Sequence, residues 1–305
     1  MDDHKQLLRS WMFVPGDRQR MIDKAMSLPV DAIMMDIEDG VAPAEKDSAR
    51  SQIAASLDAL TARLKSEPEL RTPARYVRVN AVGSTRMQED FAAVIRPGIE
   101  GLVIPKVDAV EHVQTVEDML GLAEGPSGVP AGSTRLLIAI ESPIGLFDAY
   151  TIASSSNRIM GLIFGAEDFC REMGLPLRRE GEATDLLYAR SALATAAAAA
   201  HVQCVDGVWT DLNDPEGLRR YARQARRLGM SGISIIHPKQ IDDANAAFTP
   251  TAEDIQYAND VLKAFEEARA RGEGAVAFRS QLLDYPIVDR ARQTVALAKS
   301  LGVIR

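Results

Sequence analysis

The 305-residue chain is poor in cysteine and contains no long apolar run, and each of these shortages argues against a class of protein. Its two cysteines, Cys170 and Cys204, stand far apart and form no CxxC pair. Disulfide scaffolds and zinc knuckles need such spacings, so we expect two structural thiols instead. No window approaches the roughly 20 consecutive apolar residues of a membrane helix, and we therefore expect no membrane partner.

Clustered positive charge is absent as well. The formal net charge is −8, from 35 Lys and Arg against 43 Asp and Glu. Nucleic-acid surfaces need grouped basic residues, so we expect no nucleic-acid partner, although a few local arginines suffice for a small anionic substrate. The first residues, Met1 to Lys5, lack the basic-then-apolar order of a secretory signal. We therefore expect a cytoplasmic protein.

What the sequence does contain is a repeated alternation of short apolar runs and longer segments with helical spacing. Eight runs occur, at Trp11–Val14, Ala32–Ile37, Tyr76–Asn80, Gly101–Ile104, Leu136–Ile140, Ile159–Phe164, Cys204–Trp209 and Gly232–Ile236. Short apolar runs are typical of parallel strands buried on both faces. Eight strand–helix units predict an α/β fold of the (β/α)8 TIM-barrel class. An open doubly wound sheet would carry GxGxxG after its first strand, where this chain has Pro15-Gly16-Asp17.

Helical segments are predicted between the runs and beyond the last one. The segments between runs are Arg18–Leu28, Ala44–Lys65, Ala109–Ala123, Leu186–His201 and Pro215–Leu228. The stretch Glu124–Thr134 is rich in Gly, Pro and Ser and predicts a surface loop.

The chain is long enough for a barrel and a tail. We expect residues 1–248 to form the barrel with the active site, and residues 249–305 to form a C-terminal helical extension. In that tail Ile255, Ala258, Leu262 and Phe265 follow amphipathic helical spacing. A Gly-containing break at 271–274 and a last segment at 280–301 come next. Such a tail either packs on its own barrel or reaches a neighbouring subunit.

Polar residues follow the apolar runs at their carboxyl ends, where an α/β barrel places its chemistry. They are Asp36-Ile37-Glu38-Asp39, Arg78 and Asn80, Lys106, Glu141, Glu167-Asp168 and His237-Pro238. A single acid at a strand end is commonly a helix cap. Several acids, with an arginine inside a strand, favour a functional site.

Arg78 stands between Val77 and Val79, so strand alternation points it to the opposite face from these valines. An unpaired buried guanidinium is costly, and it must therefore meet carboxylates. One interpretation is an internal ion pair with Asp36 or Glu38. The other, which we favour, is a fork that grips a substrate carboxylate or an enolate oxygen.

Glu141 and Asp168 each follow a long apolar run, so both are expected at the barrel mouth. Two carboxylates from neighbouring strands make an oxygen-only site that suits Mg²⁺. The alternative is that both cap the following helices or pair with lysines, and the residues alone leave these alternatives open. Some acids of the Asp36–Asp39 cluster would orient metal-bound waters or Arg78.

Short motifs run in order through nearly the whole chain. They are Phe13-Val14-Pro15-Gly16, Asp36–Pro43 with Lys46 and Arg50, Arg78-Val79-Asn80, Ile104-Pro105-Lys106, Ile140-Glu141-Ser142-Pro143, Gly165–Phe169 and Ile236–Ile241. Together they resemble the citrate lyase β-subunit-like family of pyruvate- and phosphoenolpyruvate-type barrel enzymes. That family includes citryl-CoA, malyl-CoA and citramalyl-CoA lyases and related malyl-CoA thioesterases.

The resemblance implies roles for individual residues. It implies that Glu141 and Asp168 bind Mg²⁺ and that Arg78 contacts the 2-oxoacid and the developing enolate. We assign Glu38 and Asp39 to the catalytic set beside Arg78, and Glu141 and Pro238 also to substrate binding.

The resemblance further implies that Phe13, Arg18 and Lys24 lie along the tail of coenzyme A. Asp284, in the stretch Leu282–Pro286, carries over as a catalytic carboxylate that often acts across a subunit interface. The residues before it, Arg279-Ser280-Gln281, depart from the Asp-Gly-Lys or Asp-Gly-Ser that is frequent there. Homotrimers or homohexamers are the expected assemblies.

We therefore expect a Mg²⁺-dependent carbon–carbon lyase that cleaves or forms a 3-hydroxyacyl-CoA, with acetyl-CoA and a 2-oxoacid as the other species. One alternative is a malyl-CoA-type thioesterase. Another is a citrate lyase β subunit that acts on citryl bound to an acyl carrier protein, and a non-catalytic 2-oxoacid sensor is a fourth.

Overall fold

The computed structural model describes residues 7–176, 183–271, 276–279 and 281–304. Eight parallel strands close into a barrel in chain order, which confirms the predicted (β/α)8 class. The strands are β1 (Ser10–Pro15), β2 (Ala32–Asp36), β3 (Ala74–Arg78), β4 (Gly101–Ile104), β5 (Arg135–Ile140), β6 (Ile159–Phe164), β7 (Gln203–Val208) and β8 (Gly232–Ile235). β1 pairs with both β2 and β8, which completes the ring.

Helices follow the strands around the barrel. They are α1 (Gln19–Ala25), α2 (Lys46–Ser66), α3 (Met87–Val94), α4 (Val110–Ser127), α5 (Pro143–Phe147), α6 (Ala149–Ala153), α7 (Ala166–Met173), α8 (Leu187–Ala199), α9 (Pro215–Arg227) and α10 (Ile241–Phe248). The five helical segments predicted between the runs coincide with α1, α2, α4, α8 and α9. The sequence did not predict α3, α5, α6, α7 and α10, because their five to eight residues are too few to establish a helical period.

Large side chains fill the interior of the barrel. Trp11 from β1 is fully buried and meets the ring of Tyr76 edge-on, with 4.8 Å between centroids. Met34, Leu137 and Val205 extend the same interior core. Any cavity inside the barrel must therefore open towards the carboxyl ends of the strands, above this packed layer.

The predicted surface loop at Glu124–Thr134 is wrong in its first part. α4 continues to Ser127, and Glu124 is buried in its last turn. The carboxylate of Glu124 accepts bonds from Arg158 at 2.7 and 2.8 Å, and from the backbone N–H groups of Gly132 and Thr134 at 2.7 and 2.9 Å. Local composition does not reveal an ion pair with a residue so distant in the chain, and this pair holds the turn.

A second compact unit contains Leu7 and the described residues from Phe248 onward, whereas the barrel unit spans Leu8–Ala247. Its elements are α11 (Ala252–Ala270), the antiparallel strands β9 (Val276–Phe278) and β10 (Gln281–Leu283), and α12 (Tyr285–Ser300). Ile255, Ala258 and Phe265 are buried, as their spacing predicted, and Leu262 packs partly buried beside them. Beyond Arg271, the predicted break lies outside the described residues.

No helix in the described part of the chain is both long and apolar enough to cross a membrane.

Candidate active site

A cavity of about 300 Å³ opens at the carboxyl ends of the barrel strands. Its lining comes from the strand ends and the turns that follow them: Phe13, Pro15, Asp36, Gly40, Arg78, Val103, Ala139, Glu141, Ile163, Phe164, Gly165, Ala166, Glu167, Asp168, Gly207, Val208, Ser234 and Ile236. Four of the residues to which the family resemblance assigns a role thus share one cavity, namely Phe13, Arg78, Glu141 and Asp168. They come from β1, β3, the end of β5 and α7.

Arg78 forms the predicted ion pair with Asp36 and Glu38 and also lines the cavity, whereas its contact with a substrate stays a prediction. Its Nε and Nη2 each donate to a carboxylate oxygen of Asp36 at 2.7 Å, and its Nη1 lies 3.4 Å from Glu38 Oε2. The ring of Phe13 lies against the guanidinium, with 4.9 Å from its centroid to Cζ. Burial alone would lower the pKa of Arg78, but the hydrogen-bonded Asp36 carboxylate raises it above its ordinary value.

The acidic segment after β2 is held in place by its own backbone. Asp36 accepts bonds from the N–H groups of Glu38 at 2.9 Å and Gly40 at 2.8 Å. Glu38 accepts from the N–H of Asp39 at 2.7 Å, and Lys106 bridges the Glu38 and Asp39 carboxylates, with 2.7 Å to Asp39. Neither Glu38 nor Asp39 lines the cavity. Their geometry therefore supports a positioning role.

Lys46 was not predicted as a site residue, yet its side chain binds the acidic segment after β2. Its buried ammonium donates to the carbonyls of Ile37 at 2.8 Å and Glu38 at 3.0 Å, and to Asn80 Oδ1 at 2.6 Å. A lysine in the first turn of a helix opposes the helix dipole. That mismatch at the start of α2 was the available sequence signal for a tertiary role.

Lys106, two residues after the end of β4, is paired with carboxylates of the segment after β2. It is held between Glu38 and Asp39, and its backbone φ is +54°. Such a φ is uncommon for a residue with a side chain. The two carboxylates stabilise this conformation at the end of β4.

Glu141 has the features of a cation ligand. The residue is buried, and its Oε2 has no hydrogen-bond partner among the described residues. Burial, reinforced by the charge of Asp168, raises the pKa of Glu141 to about 7. Gly165 leaves room for it, because a Cβ at that position would lie 2.9 Å from Glu141 Cδ. A bound cation would give this oxygen a partner and offset the repulsion.

Asp168 lies in the first turn of α7, and its Oδ1 is 2.6 Å from Arg171 Nη2. The side chain is partly exposed and lines the cavity. Over the described ranges of the chain, no group of three or more His, Cys, Asp or Glu converges on a metal-binding point. Glu141 and Asp168 therefore offer two carboxylates, a number that suits Mg²⁺ completed by substrate and water.

Arg18, Lys24 and Pro238 are not among the residues that line the cavity, and Asp284 belongs to the other compact unit. Arg18 and Lys24 are exposed, just before α1 and near its end. Pro238 opens a short 3-10 turn after β8 and does not line the cavity. Asp284 belongs to the C-terminal unit, where its exposed carboxylate accepts the N–H of Ile287 at 3.2 Å and caps α12.

A family model described as HpcH/HpaI aldolase/citrate lyase matches residues 9–238, which include all eight barrel strands and every residue that lines the cavity. The chain belongs to this family. Its relatives include the citrate lyase subunit beta of Escherichia coli K12, 37% identical over 97% of this chain and 94% of that protein. Another is the mitochondrial citramalyl-CoA lyase of Rattus norvegicus, 31% identical over 99% of this chain and 89% of that protein.

A solved structure that is similar to this chain is that of the protein CitE from Mycobacterium tuberculosis in complex with magnesium, acetoacetate and coenzyme A. It is 27% identical, covers 97% of this chain and 98% of that chain, and has a TM-score of 0.76. The family resemblance predicted from the motifs is thus confirmed, and the chain is a lyase of the citrate lyase β-like group.

Proposed function

We propose that the chain is a Mg²⁺-dependent lyase that cleaves or forms a 3-hydroxyacyl-CoA such as malyl-, citramalyl- or citryl-CoA, with acetyl-CoA and a 2-oxoacid as the other species. The observation that carries the proposal is the unpartnered Oε2 of Glu141, which shares one cavity with Asp168 and Arg78. The relative solved with magnesium, acetoacetate and coenzyme A supports the same combination of ligands.

Glu141 and Asp168 are the groups proposed to hold the metal. Both are hard oxygen donors, and both come from the mouth of the barrel. A Mg²⁺ bound there supplies Lewis acidity and a template for the oxoacid's carboxylate and neighbouring oxygen. Since the unpartnered Glu141 oxygen carries an unfavourable burial cost without a cation, binding the metal would also stabilise the fold.

Arg78 is proposed to stabilise the charge that develops as the carbon–carbon bond breaks. The bonds to Asp36 and the ring of Phe13 fix its guanidinium before any substrate arrives. A preorganised cation of this kind stabilises an enolate oxygen without reorganisation during the reaction. Glu38 and Asp39 serve this step indirectly, because they hold Arg78 and Lys106 in place.

Asp284 is proposed to exchange a proton with the acetyl carbon, as an acid in cleavage and as a base in condensation. Its carboxylate is exposed, and the bond that caps α12 is a 3.2 Å contact to one backbone N–H. The proposal includes delivery of Asp284 by a neighbouring subunit in a homotrimer or homohexamer.

Phe13, Arg18 and Lys24 are proposed to lie along coenzyme A, with Pro238 at the mouth beside the acyl group. Arg18 precedes α1 and Lys24 lies in its last turn, and this helix of seven residues spans roughly 10 Å. Both side chains are exposed cations, which suit separate phosphate groups.

The test is product analysis with the purified chain, Mg²⁺ and malyl-, citramalyl- and citryl-CoA in parallel. We expect one thioester to give acetyl-CoA and its 2-oxoacid in equal amounts, as measured by liquid chromatography and mass spectrometry. Glu141→Gln should abolish both products, whereas the exposed Glu111→Gln on α4 should leave them unchanged.

Other products would overturn the proposal. Free CoA with an intact hydroxyacid would identify a thioesterase. Turnover that occurs only when citryl is loaded on an acyl carrier protein would identify a carrier-dependent citrate lyase subunit.

A further inference from the structure

Ser234 lies on β8 and has a buried hydroxyl. The residue is 1% exposed, and its Oγ has no hydrogen-bond partner among the described residues. Four buried side-chain atoms have no such partner in the described chain, and only those of Glu141 and Ser234 belong to residues that line the active-site cavity. Buried hydroxyls are nearly always paired, so an unpaired one beside a cavity points to a ligand.

The pairing of the strands places Ser234 at the boundary between core and cavity. Its register partner on β1 is Trp11, a member of the interior core, and its register partner on β7 is Val208, which lines the cavity. Directly paired residues of neighbouring strands point to the same face, so the Ser234 side chain faces the barrel interior.

The register partners of Ser234 on the adjacent strands, Trp11 and Val208, are both apolar. Val103, Ala139 and Ile163 belong both to the interior core and to the cavity lining. The charged side chains of the cavity lining, such as Arg78 and Asp168, come from the strand ends and the turns that follow them. A substrate group that reaches past the metal ligands would therefore find one hydroxyl in an apolar wall.

We infer that Ser234 is a specificity-determining residue, whose hydroxyl donates a hydrogen bond to an acceptor on the substituent that distinguishes one 2-oxoacid from another. This inference rests on the proposed function. A carboxylate or carbonyl oxygen on that substituent satisfies the hydroxyl, whereas a methyl group leaves it buried and unpaired. Sites built around a polar group discriminate strongly against analogues that lack its partner.

The test compares two four-carbon oxoacids, oxaloacetate and 2-oxobutanoate, which differ at the terminal group: a carboxylate in one and a methyl in the other. Binding to the full-length protein is measured by isothermal titration calorimetry with saturating Mg²⁺, so that no turnover is required. We expect the wild type to bind oxaloacetate at least tenfold more tightly. Ser234→Ala should weaken oxaloacetate binding about tenfold or more and leave 2-oxobutanoate binding within about twofold.

Ser10→Ala provides the matched control. Ser10 is also a fully buried strand serine, but its hydroxyl donates to Asn245 at 2.7 Å and accepts the N–H of Asp31 at 3.1 Å. This variant should lose thermal stability and keep the oxoacid preference. Ser234→Ala should keep the wild-type melting temperature, because it removes a hydroxyl without a partner.

Two outcomes overturn the inference alone: equal affinity of the wild type for both oxoacids, or a Ser234→Ala variant that keeps the wild-type preference or weakens both ligands equally. Failure of the wild type to bind either of these oxoacids with Mg²⁺ present would also overturn the inference, whereas the proposed function would fail only if glyoxylate and pyruvate did not bind either.

Discussion

Glu141 shows how a single buried atom can indicate function. A carboxylate in an apolar setting near a second acid is destabilising unless something pairs with it. Here the pKa of Glu141 is raised to about 7 by burial and by Asp168, and one of its oxygens has no partner in the described chain. The fold thus holds Glu141 in a position whose unfavourable energy a cation would offset.

The raised pKa of Glu141 predicts a pH dependence for metal binding. Below about pH 7 this carboxyl holds a proton that Mg²⁺ must displace, so the affinity should fall as the pH is lowered, by about tenfold per unit. Calorimetric titrations with Mg²⁺ at pH 8, 6 and 5 would measure this dependence. A flat affinity from pH 8 to pH 5 would contradict the assignment of Glu141 as a ligand.

Arg78→Lys tests the arginine fork while it retains the positive charge. Lysine cannot donate two parallel bonds to Asp36, so the cation loses its fixed orientation. We expect kcat to fall by about 10²- to 10³-fold, measured as 2-oxoacid release at saturating substrate. The matched control is Arg135→Lys, at the exposed start of β5. Equal kcat values for wild type and Arg78→Lys would remove Arg78 from the reaction.

At the residue scale, the sequence predicted the charged residues of the site but not the lysine contacts that hold them in place. Strand alternation placed Arg78 inside the barrel and required a carboxylate partner, and Asp36 is that partner. Lys46 and Lys106 were not predicted as its supports, because each bond joins residues far apart in the chain. Strand alternation shows that a residue such as Arg78 needs a partner inside the barrel, but it does not apply to Lys46 and Lys106, which lie outside the strands.

At the element scale, the turn from β6 into α7 contacts one proposed metal ligand, Glu141, and leads directly to the other, Asp168. Gly165 in this turn packs against Glu141, and Asp168 follows in the first turn of α7. The φ of Gly165 is −89°, a value that any residue adopts, so the lack of space is what favours glycine here.

Gly165→Ala should therefore disturb the metal site more than the backbone. The added methyl group would press on the Glu141 carboxyl, and we expect Mg²⁺ affinity to fall at least tenfold in calorimetry. Gly121→Ala is the control, since no atom lies within 4 Å of its added Cβ in the middle of α4. That variant should be about 0.5–1 kcal/mol more stable and bind Mg²⁺ normally. Normal Mg²⁺ binding by Gly165→Ala would contradict the geometry proposed for Glu141.

The sequence predicted the barrel strands and the long helices well, and it missed the shortest helices and the C-terminal strands. Each of the eight apolar runs contains or overlaps one barrel strand, because strands buried on both faces need continuous apolar residues. The helices α5 and α6, and the strands β9 and β10, have three to five residues, which is less than two helical turns or a few alternations. The extension of α4 through Pro126 was missed because the Glu124–Arg158 pair overrides local composition.

At the scale of the whole molecule, the proposed chemistry needs residues from two compact units. The barrel carries Arg78, Glu141 and Asp168, and the C-terminal unit carries Asp284. Composition and spacing predicted a helical tail, and the family resemblance alone implied a role for Asp284. The hydrogen bonds within the C-terminal unit explain Asp284 only as the cap of α12.

Asp284→Asn tests that role. The asparagine can still cap α12, so the fold should be kept, whereas kcat should fall by about 10²-fold or more because the proton-exchanging group is lost. Mg²⁺ and oxoacid binding should be unchanged. Asp289→Asn, an exposed aspartate of the same helix, is the control.

Mixing two inactive variants would locate the action of Asp284. If the residue serves a neighbouring subunit, unfolding and refolding Asp284→Asn together with Glu141→Gln should restore part of the activity. If the mixture stays inactive, Asp284 and Glu141 must act together within one chain.

The most direct test of the central claim is the rate of 2-oxoacid release from the cleaved thioester as a function of Mg²⁺ concentration, in the wild type and in Glu141→Gln. We predict a saturable dependence on Mg²⁺ in the wild type, complete loss in EDTA, and no release by Glu141→Gln at Mg²⁺ concentrations that saturate the wild type. Undiminished release in EDTA, or a Glu141→Gln variant with the wild-type dependence, would contradict a lyase built on these two carboxylates.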